Sequence, residues 1–252
     1  MSDLLTLGLC SVSFRENSPE EIVKAAKCAG LSAIEWGSDI HCPPGDEARI
    51  REIQRLQSES GIGCSSYGTY FRIGESDLAE LPGYIETARA LGTRMLRLWC
   101  GRAPGSSMTE IEKERLFSEC EKAAEIAESY GVTISLERHK KTFTESDDDA
   151  VRLMKRVGSE AFRMYYQPFQ WRSGEENLKG AGALAPYTTN IHVFNWKGSE
   201  KLPLSGAIDE WKRYIGCFSG ERALLLEFMP DGRIESLGKE ADALRRIAGE
   251  NR

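Results

Sequence analysis

What this chain lacks narrows it first. No stretch approaches the roughly 18 consecutive apolar residues of a membrane span, so no membrane partner is expected. The opening "MSDLLTLGLCSVSFREN" has neither the basic start nor the long apolar run of a signal peptide. Basic residues are in the minority, 33 Lys plus Arg against 39 Asp plus Glu, for a formal charge of -6. A nucleic-acid backbone is a poor match for that balance, and no nucleic-acid partner is expected. The seven cysteines (Cys10, Cys28, Cys42, Cys64, Cys100, Cys120 and Cys217) are odd in number and never stand as CxxC. They do not make a disulfide framework or a zinc finger, and read instead as reduced thiols in or near the core of a cytoplasmic protein. Histidine is scarce, with only His41, His139 and His192.

What is present is a rhythm. Short apolar runs alternate with longer segments of helical period: "LLTLGLCSVSF" then "SPEEIVKAAKCAG", "SAIEW" then "GDEARIREIQRLQSESG". A weaker third strand, "GCSSYGTY", precedes "SDLAELPGYIETARALG", and "TRMLRLWCG" precedes "TEIEKERLFSECEKAAEIAESYG". The second half continues with "VTISLE" and "ESDDDAVRLMKRVG", then "FRMYY" and "EENLKGAGALA". It closes with "TTNIHVFNW" and "AIDEWKRYIGCF", then "RALLLEF" and "SLGKEADALRRIAGE". Helix ends carry their own signals. Ser18 is placed to cap the first helix, with Pro19 at its first position and Gly30 as its stop. In "ESDDDAVRLMKRVG" acids crowd the first turn and bases the last, as a helix dipole favours. Eight strand-then-helix units in 252 residues, with no Pro/Gly-rich linker, predict an α/β fold: one closed (β/α)8 barrel spanning residues 1–252. A doubly wound sheet would want a G-x-G-x-x-G turn after the first strand, and "CSVSFREN" is not one.

Barrel enzymes carry their chemistry at the C-terminal ends of the strands. Strand two leads into Glu35, Trp36, Asp39 and His41, strand three into Tyr67 and Tyr70, and strand four into Arg97, Trp99 and Arg102. Strand five ends in Glu137 and His139, strand six in Gln167, strand seven in His192, Asn195, Trp196 and Lys197, and strand eight in Glu227. All three histidines thus fall on one predicted face. A carboxylate ending "TISL" or "ALLL" is costly near a core unless a cation compensates it. Glu137, Gln167, His192 and Glu227 make a mixed N/O donor set suited to one divalent ion, Mn, Mg, Co or Zn.

The tips "LERH" on strand five, "NIHVFNW" on strand seven and "LLLEF" on strand eight resemble the xylose-isomerase-like TIM barrel superfamily over nearly the whole chain. That group holds sugar and sugar-phosphate isomerases and epimerases, and also dehydratases and the endonuclease IV type of DNA repair enzyme. The resemblance implies that Glu137, Gln167, His192 and Glu227 hold the metal and that His139 lies beside the substrate. This chain departs from the pattern at "YYQPF", where Gln167 stands in place of the usual Asp. Weaker metal binding, or a different metal preference, is expected from the lost charge. The endonuclease chemistry uses three zinc ions and many histidines, which this chain does not have.

The expected activity is isomerisation or epimerisation of a sugar, keto-sugar or sugar phosphate through an enediolate, with Glu137 and Glu227 moving the proton. A dehydratase of a keto-sugar or cyclic keto-acid uses the same enolate, and a non-catalytic sugar-binding barrel is the alternative outside enzymes. His139, His41, Arg97, Trp99, Trp36, Asn195 and Lys197 are the expected substrate contacts for a small carbohydrate. Tyr70, Phe169, Trp171, Phe194 and Trp196 add aromatic faces suited to sugar C–H groups. Arg97, Arg102, Lys140 and Lys197 are candidates for a phosphate or carboxylate. Exposed tip-loop aromatics are compatible with a homo-oligomer.

Overall fold

The computed structural model describes residues 5–249; Leu4 of the first predicted strand and Glu250 of the last predicted helix lie outside them. In chain order the strands are β1 (Leu5–Cys10), β2 (Ala33–Gly37), β3 (Gly63–Ile73), β4 (Met95–Cys100), β5 (Thr133–Glu137), β6 (Phe162–Tyr166) and β7 (Thr188–Val193). A small antiparallel pair follows, β8 (Trp196–Lys197) and β9 (Glu200–Lys201), and then β10 (Arg222–Leu226). All but β8 and β9 close into one barrel in the order β1-β10-β7-β6-β5-β4-β3-β2, every neighbouring pair parallel. Around it run α1 (Pro19–Cys28), α2 (Glu47–Ser60), α3 (Leu81–Ala90), α4 (Glu110–Tyr130), α5 (Asp147–Val157), α6 (Gly174–Leu184), α7 (Ile208–Ile215) and α8 (Leu237–Ala248). The chain is a (β/α)8 barrel, and no helix among the described residues is long and apolar enough to cross a membrane.

Strand side chains alternate between two faces, and here the two faces have different chemistry. Leu7, Leu9, Ile34, Trp36, Leu96, Leu98, Ile134, Leu136, Met164, Tyr166, Ile191, Val193, Leu224 and Leu226 point outward into the layer under the helices. The inward positions form a much smaller apolar cluster, Cys10, Val12, Tyr165, Ala223 and Leu225. Several of the remaining inward positions are polar and mutually bonded. Ser135 Oγ lies 2.8 Å from Thr189 Oγ1, and Asn190 donates to the Tyr165 hydroxyl at 2.8 Å. Stability therefore rests mainly on the outer layer, where burial contributes roughly 25 cal/mol per Å² of apolar surface.

Helix starts follow their local signals. Ser18 and Glu21 form a reciprocal capping box at α1, with Pro19 at its first position; Thr109 with Glu112 and Ser173 with Glu176 do the same for α4 and α6. The acids Asp147, Asp148 and Asp149 open α5, and Lys155 and Arg156 close it.

Three elements differ from the sequence reading. The weak third strand is the longest, 11 residues, because a register shift between Gly68 and Arg72 lets it bend and continue pairing as far as Ile73. The first strand stops at Cys10, and Ser11–Phe14 turns as a 3-10 helix in which Ser11 Oγ accepts from Gly37 N at 2.9 Å. The strand-seven segment ends at Val193, and Trp196 and Lys197 belong instead to the small hairpin.

The barrel closes tightly where β1 meets β2. A Cβ on Gly8 would sit 2.4 Å from the Ala33 carbonyl oxygen and 2.9 Å from Leu225. Backbone on one side and a packed core side chain on the other leave little room to yield. Gly8→Ala is expected to destabilise the fold by about 1–3 kcal/mol, the usual cost of overpacking, read as a lower urea midpoint at unchanged m-value.

Candidate active site

Alternation along the strands brings Glu35, Gly68, Arg97, Glu137, Gln167, His192 and Glu227 to one end of the barrel interior. Glu35, Arg97, Glu137 and His192 are each at most 4% exposed, and Glu227 is 8% exposed. Both oxygens of Glu137 are held: Oε2 accepts from Arg97 Nη1 and from Trp99 Nε1, and Oε1 accepts from Gln167 Nε2 at 3.1 Å. Arg97 Nε donates to Glu35 Oε1 at 2.9 Å, and Ser66 Oγ donates to Glu35 Oε2 at 2.8 Å. His192 Nδ1 lies 3.0 Å from Gln167 Oε1 and 3.5 Å from Glu227 Oε2.

These groups set one another's charge. Burial works to raise the Glu137 and Glu35 carboxyls, but the Arg97 guanidinium, with help from His192, holds both below the usual range. Burial raises Glu227 to about 7 despite the attraction of His192. Burial also works to lower His192, yet the carboxylates of Glu227 and Glu35 lift it to about 9. Three acids thus face Arg97 and an imidazole drawn toward its charged form.

The donor chemistry fits a divalent cation. Ligand atoms of Glu137, His192 and Glu227 lie within 4.8 Å of one another, and Gln167 Oε1 adjoins His192 Nδ1. The 3.0 and 3.5 Å separations from Nδ1 match the edges of a coordination shell with metal–ligand bonds of about 2.1 Å. Cys10, Glu35 and His192 form a second close group. Burial and the neighbouring acids Glu35 and Glu227 drive the Cys10 thiol well above its ordinary value, and Arg97 already occupies Glu35. That group is the poorer cation site.

Above the donors opens a cavity of about 240 Å³, of small-molecule scale. Arg97, Trp99, Glu137, His139, Gln167 and Glu227 line it, with Tyr70, Lys140, Phe169, Phe194 and Trp196. The His139 ring stacks on Trp99 at 4.9 Å, and its Nδ1 lies 2.7 Å from the Lys140 carbonyl oxygen. A carbonyl only accepts, so Nδ1 carries the proton and Nε2 of the neutral ring keeps a lone pair. Arg138, the base of "LERH", turns outward. Fully buried, it donates to Asp147 at 2.7 Å and to the Gln167 carbonyl at 2.8 Å, and stacks on Phe169 at 4.0 Å, tying the loop after β6 to α5.

Four expected substrate contacts stand elsewhere. Trp36 has outward parity and is packed under α2, where its Nε1 donates to Gln57 at 3.0 Å. His41 is buried beside Trp36, its Nε2 lying 3.3 Å from the Asn17 carbonyl oxygen. Asn195 and Lys197 line a neighbouring cavity between the loops after β6 and β7, and Asn195 donates to the Pro203 carbonyl at 2.8 Å. Of the other tip residues, Tyr67 donates to the Cys42 carbonyl and Arg102 pairs with Glu75 on the surface.

Three participants were missed from sequence. Glu35 was noted at its strand tip without a role, although it shares the inward parity of Ala33. Arg15, just past β1, lines the cavity and is held by Asp39 and Tyr70. Phe228, also lining it, takes a left-handed φ of 60° directly after Glu227, a strain that pattern reading does not reveal.

The family model described as xylose isomerase-like TIM barrel matches residues 23–216. A search of the curated proteins found no match. Among solved structures, the chain resembles the probable 3-DHS dehydratase AsbF of Bacillus anthracis, involved in petrobactin synthesis, with TM-score 0.77 at 18% identity over 95% of this chain and 98% of that one. It also resembles the IOLI protein with a bound zinc atom (TM-score 0.76, 14% identity, 97% and 98% covered). D-psicose 3-epimerase with D-tagatose, from Clostridium cellulolyticum H10, has TM-score 0.67 at 12% identity, with 95% and 96% covered. At such identities the structural likeness is one of fold, while the family match covers most of the sequence. The chain belongs to the xylose isomerase-like TIM barrel family.

Proposed function

We propose that this barrel is a divalent-metal-dependent isomerase or epimerase of a sugar, keto-sugar or sugar phosphate. The observation that carries the reading is the convergence of Glu137, Gln167, His192 and Glu227 at the floor of a small cavity whose wall presents the free Nε2 of His139. These four residues would hold one Mn, Mg, Co or Zn ion. Such an ion, when bound, supplies a Lewis acid that stabilises negative charge developing on adjacent carbonyl and hydroxyl oxygens.

The protein's own groups divide the remaining work. Glu137, gripped by Arg97, Trp99 and Gln167, is fixed as an anionic donor rather than a mobile base. Glu227 lines the cavity without such a grip and is the better carrier of the carbon-bound proton. His139 Nε2 accepts or returns a hydroxyl proton while its stacking on Trp99 keeps the ring in place. Phe169, Phe194, Trp196 and Phe228 exclude water from the enediolate.

A second reading has specific support at the cavity mouth. Arg15 and Lys140 line the cavity, while its acids are Glu137 and Glu227 alone, both in the donor set. Lys140, in a lining whose acids all belong to the donor set, favours a substrate bearing a carboxylate or phosphate, which supports a keto-acid dehydratase as the second reading.

Metal analysis of the untagged protein is expected to find about one divalent ion per chain, and Glu137→Ala is expected to lose it; a metal-free wild type after incubation with all four ions would sink the reading. Gln167→Asp is expected to tighten metal binding roughly tenfold through the added ligand charge, while lowering the melting temperature of the metal-free protein. NMR in D2O of protein incubated with hydroxy-keto compounds is expected to show deuterium gained at unchanged formula; loss of water instead would identify the lyase. Glu227→Gln and His139→Gln are each expected to slow the reaction by about 10²–10⁴-fold.

A further inference from the structure

Glu35 is not among the four donors, yet it touches the groups that orient two of them. Its Oε1 accepts from Arg97 Nε at 2.9 Å and stands 3.4 Å from His192 Nε2, a buried atom that makes no hydrogen bond among the described residues. Its Oε2 is pinned by Ser66 at 2.8 Å. Arg97 in turn grips Glu137 Oε2, leaving Oε1 toward Gln167. Space is reserved for this assembly: a Cβ on Gly68 would lie 2.6 Å from Glu35 Oε1 and 2.8 Å from Arg97 Nη2. β2, β3, β4, β5 and β7 therefore all contribute to one buried strap beneath the cavity.

We propose that Glu35, locked by Arg97 and Ser66, is a positioning residue that takes the Nε2–H of His192, so that Nδ1 is the nitrogen presented to the metal beside Gln167 and Glu227. The inference rests on the metal reading of the site. Its physical basis is general: a metal-bound imidazole donates its second N–H to a carboxylate, which fixes the tautomer and the ring plane. Here one carboxylate serves His192 directly and, through Arg97, also restrains Glu137. Gly68 is part of the device because any side chain there would push the carboxylate off its partners.

The test combines metal affinity, by competition with a chromophoric chelator for Zn²⁺, with nitrogen-15 shifts of the three histidine rings, in the zinc-loaded and the metal-free protein at alkaline pH. Glu35→Ala is expected to weaken zinc about 10–100-fold and, in the zinc-loaded protein, to release His192 from the single tautomer protonated at Nε2. Glu35→Gln, which keeps an acceptor oxygen, is expected to restore the tautomer and part of the affinity. Gly68→Ala, which alters no donor and no charge, is expected to lose affinity in the same direction. Where Glu35→Ala fails to fold, Gly68→Ala and Glu35→Gln decide. Wild-type affinity with an unmoved His192 ring in the folded variants would overturn the proposal. If the wild type takes up no metal but the His192 ring shifts move in Glu35→Ala or Gly68→Ala, the metal reading falls and the positioning role stands.

Discussion

Everything at the functional end of this barrel depends on how it neutralises buried carboxylates. Glu35, Glu137 and Glu227 are all nearly or wholly out of water, and each such ion carries a desolvation penalty of several kcal/mol unless it is compensated. One guanidinium, Arg97, serves Glu35 and Glu137, and His192 is drawn toward its cationic form by Glu227 and Glu35. A fold that kept this arrangement only for stability would do as well with apolar residues. The arrangement makes physical sense where a further cation and a developing anion are to be accommodated.

The architecture separates that expensive chemistry from the part of the molecule that holds it. Apolar burial is concentrated between strands and helices, where Trp36, Leu136, Tyr166 and Leu226 meet the helical layer. The barrel interior keeps only a small apolar plug, with Cys10, Tyr165 and Leu225 in it. Interior polar groups can therefore be arranged for recognition, because the outer layer supplies most of the folding energy. Arg138 shows the join between the layers: pointing out from the end of β5, it fixes the loop that carries Gln167 to the start of α5.

How much of this was legible in the sequence follows from the period of a strand. The barrel itself was readable, since strand and helix periods alternate eight times and the caps agree with the pattern. Glu137, Gln167, His192 and Glu227 were placed at strand ends by the apolar runs that precede them, and they stand at or next to the ends of β5, β6, β7 and β10. Trp36 was misjudged by one residue of parity: as the last apolar residue of "SAIEW" it faces the helices, while Glu35 beside it faces the interior. Asn195 and Lys197 lie past the strand end, where a two-stranded hairpin redirects the chain and parity no longer applies. Arg15 escaped notice because a 3-10 turn separates it from its strand, and the length of β3 because a bulge hides its continuation.

Gln167 is best understood together with Arg97. An aspartate at that position would add a fourth carboxylate to a pocket whose cations are Arg97 and His192, and it has no N–H to offer Glu137 Oε1. The amide does two things at once: Nε2 holds Glu137, and Oε1 stands beside His192 Nδ1. With the guanidinium on the other oxygen of Glu137, the carboxylate is restrained from both sides without any further negative charge. In the proposed metal site the glutamine is thus the neutral partner of the arginine, and together they hold Glu137 without a further negative charge.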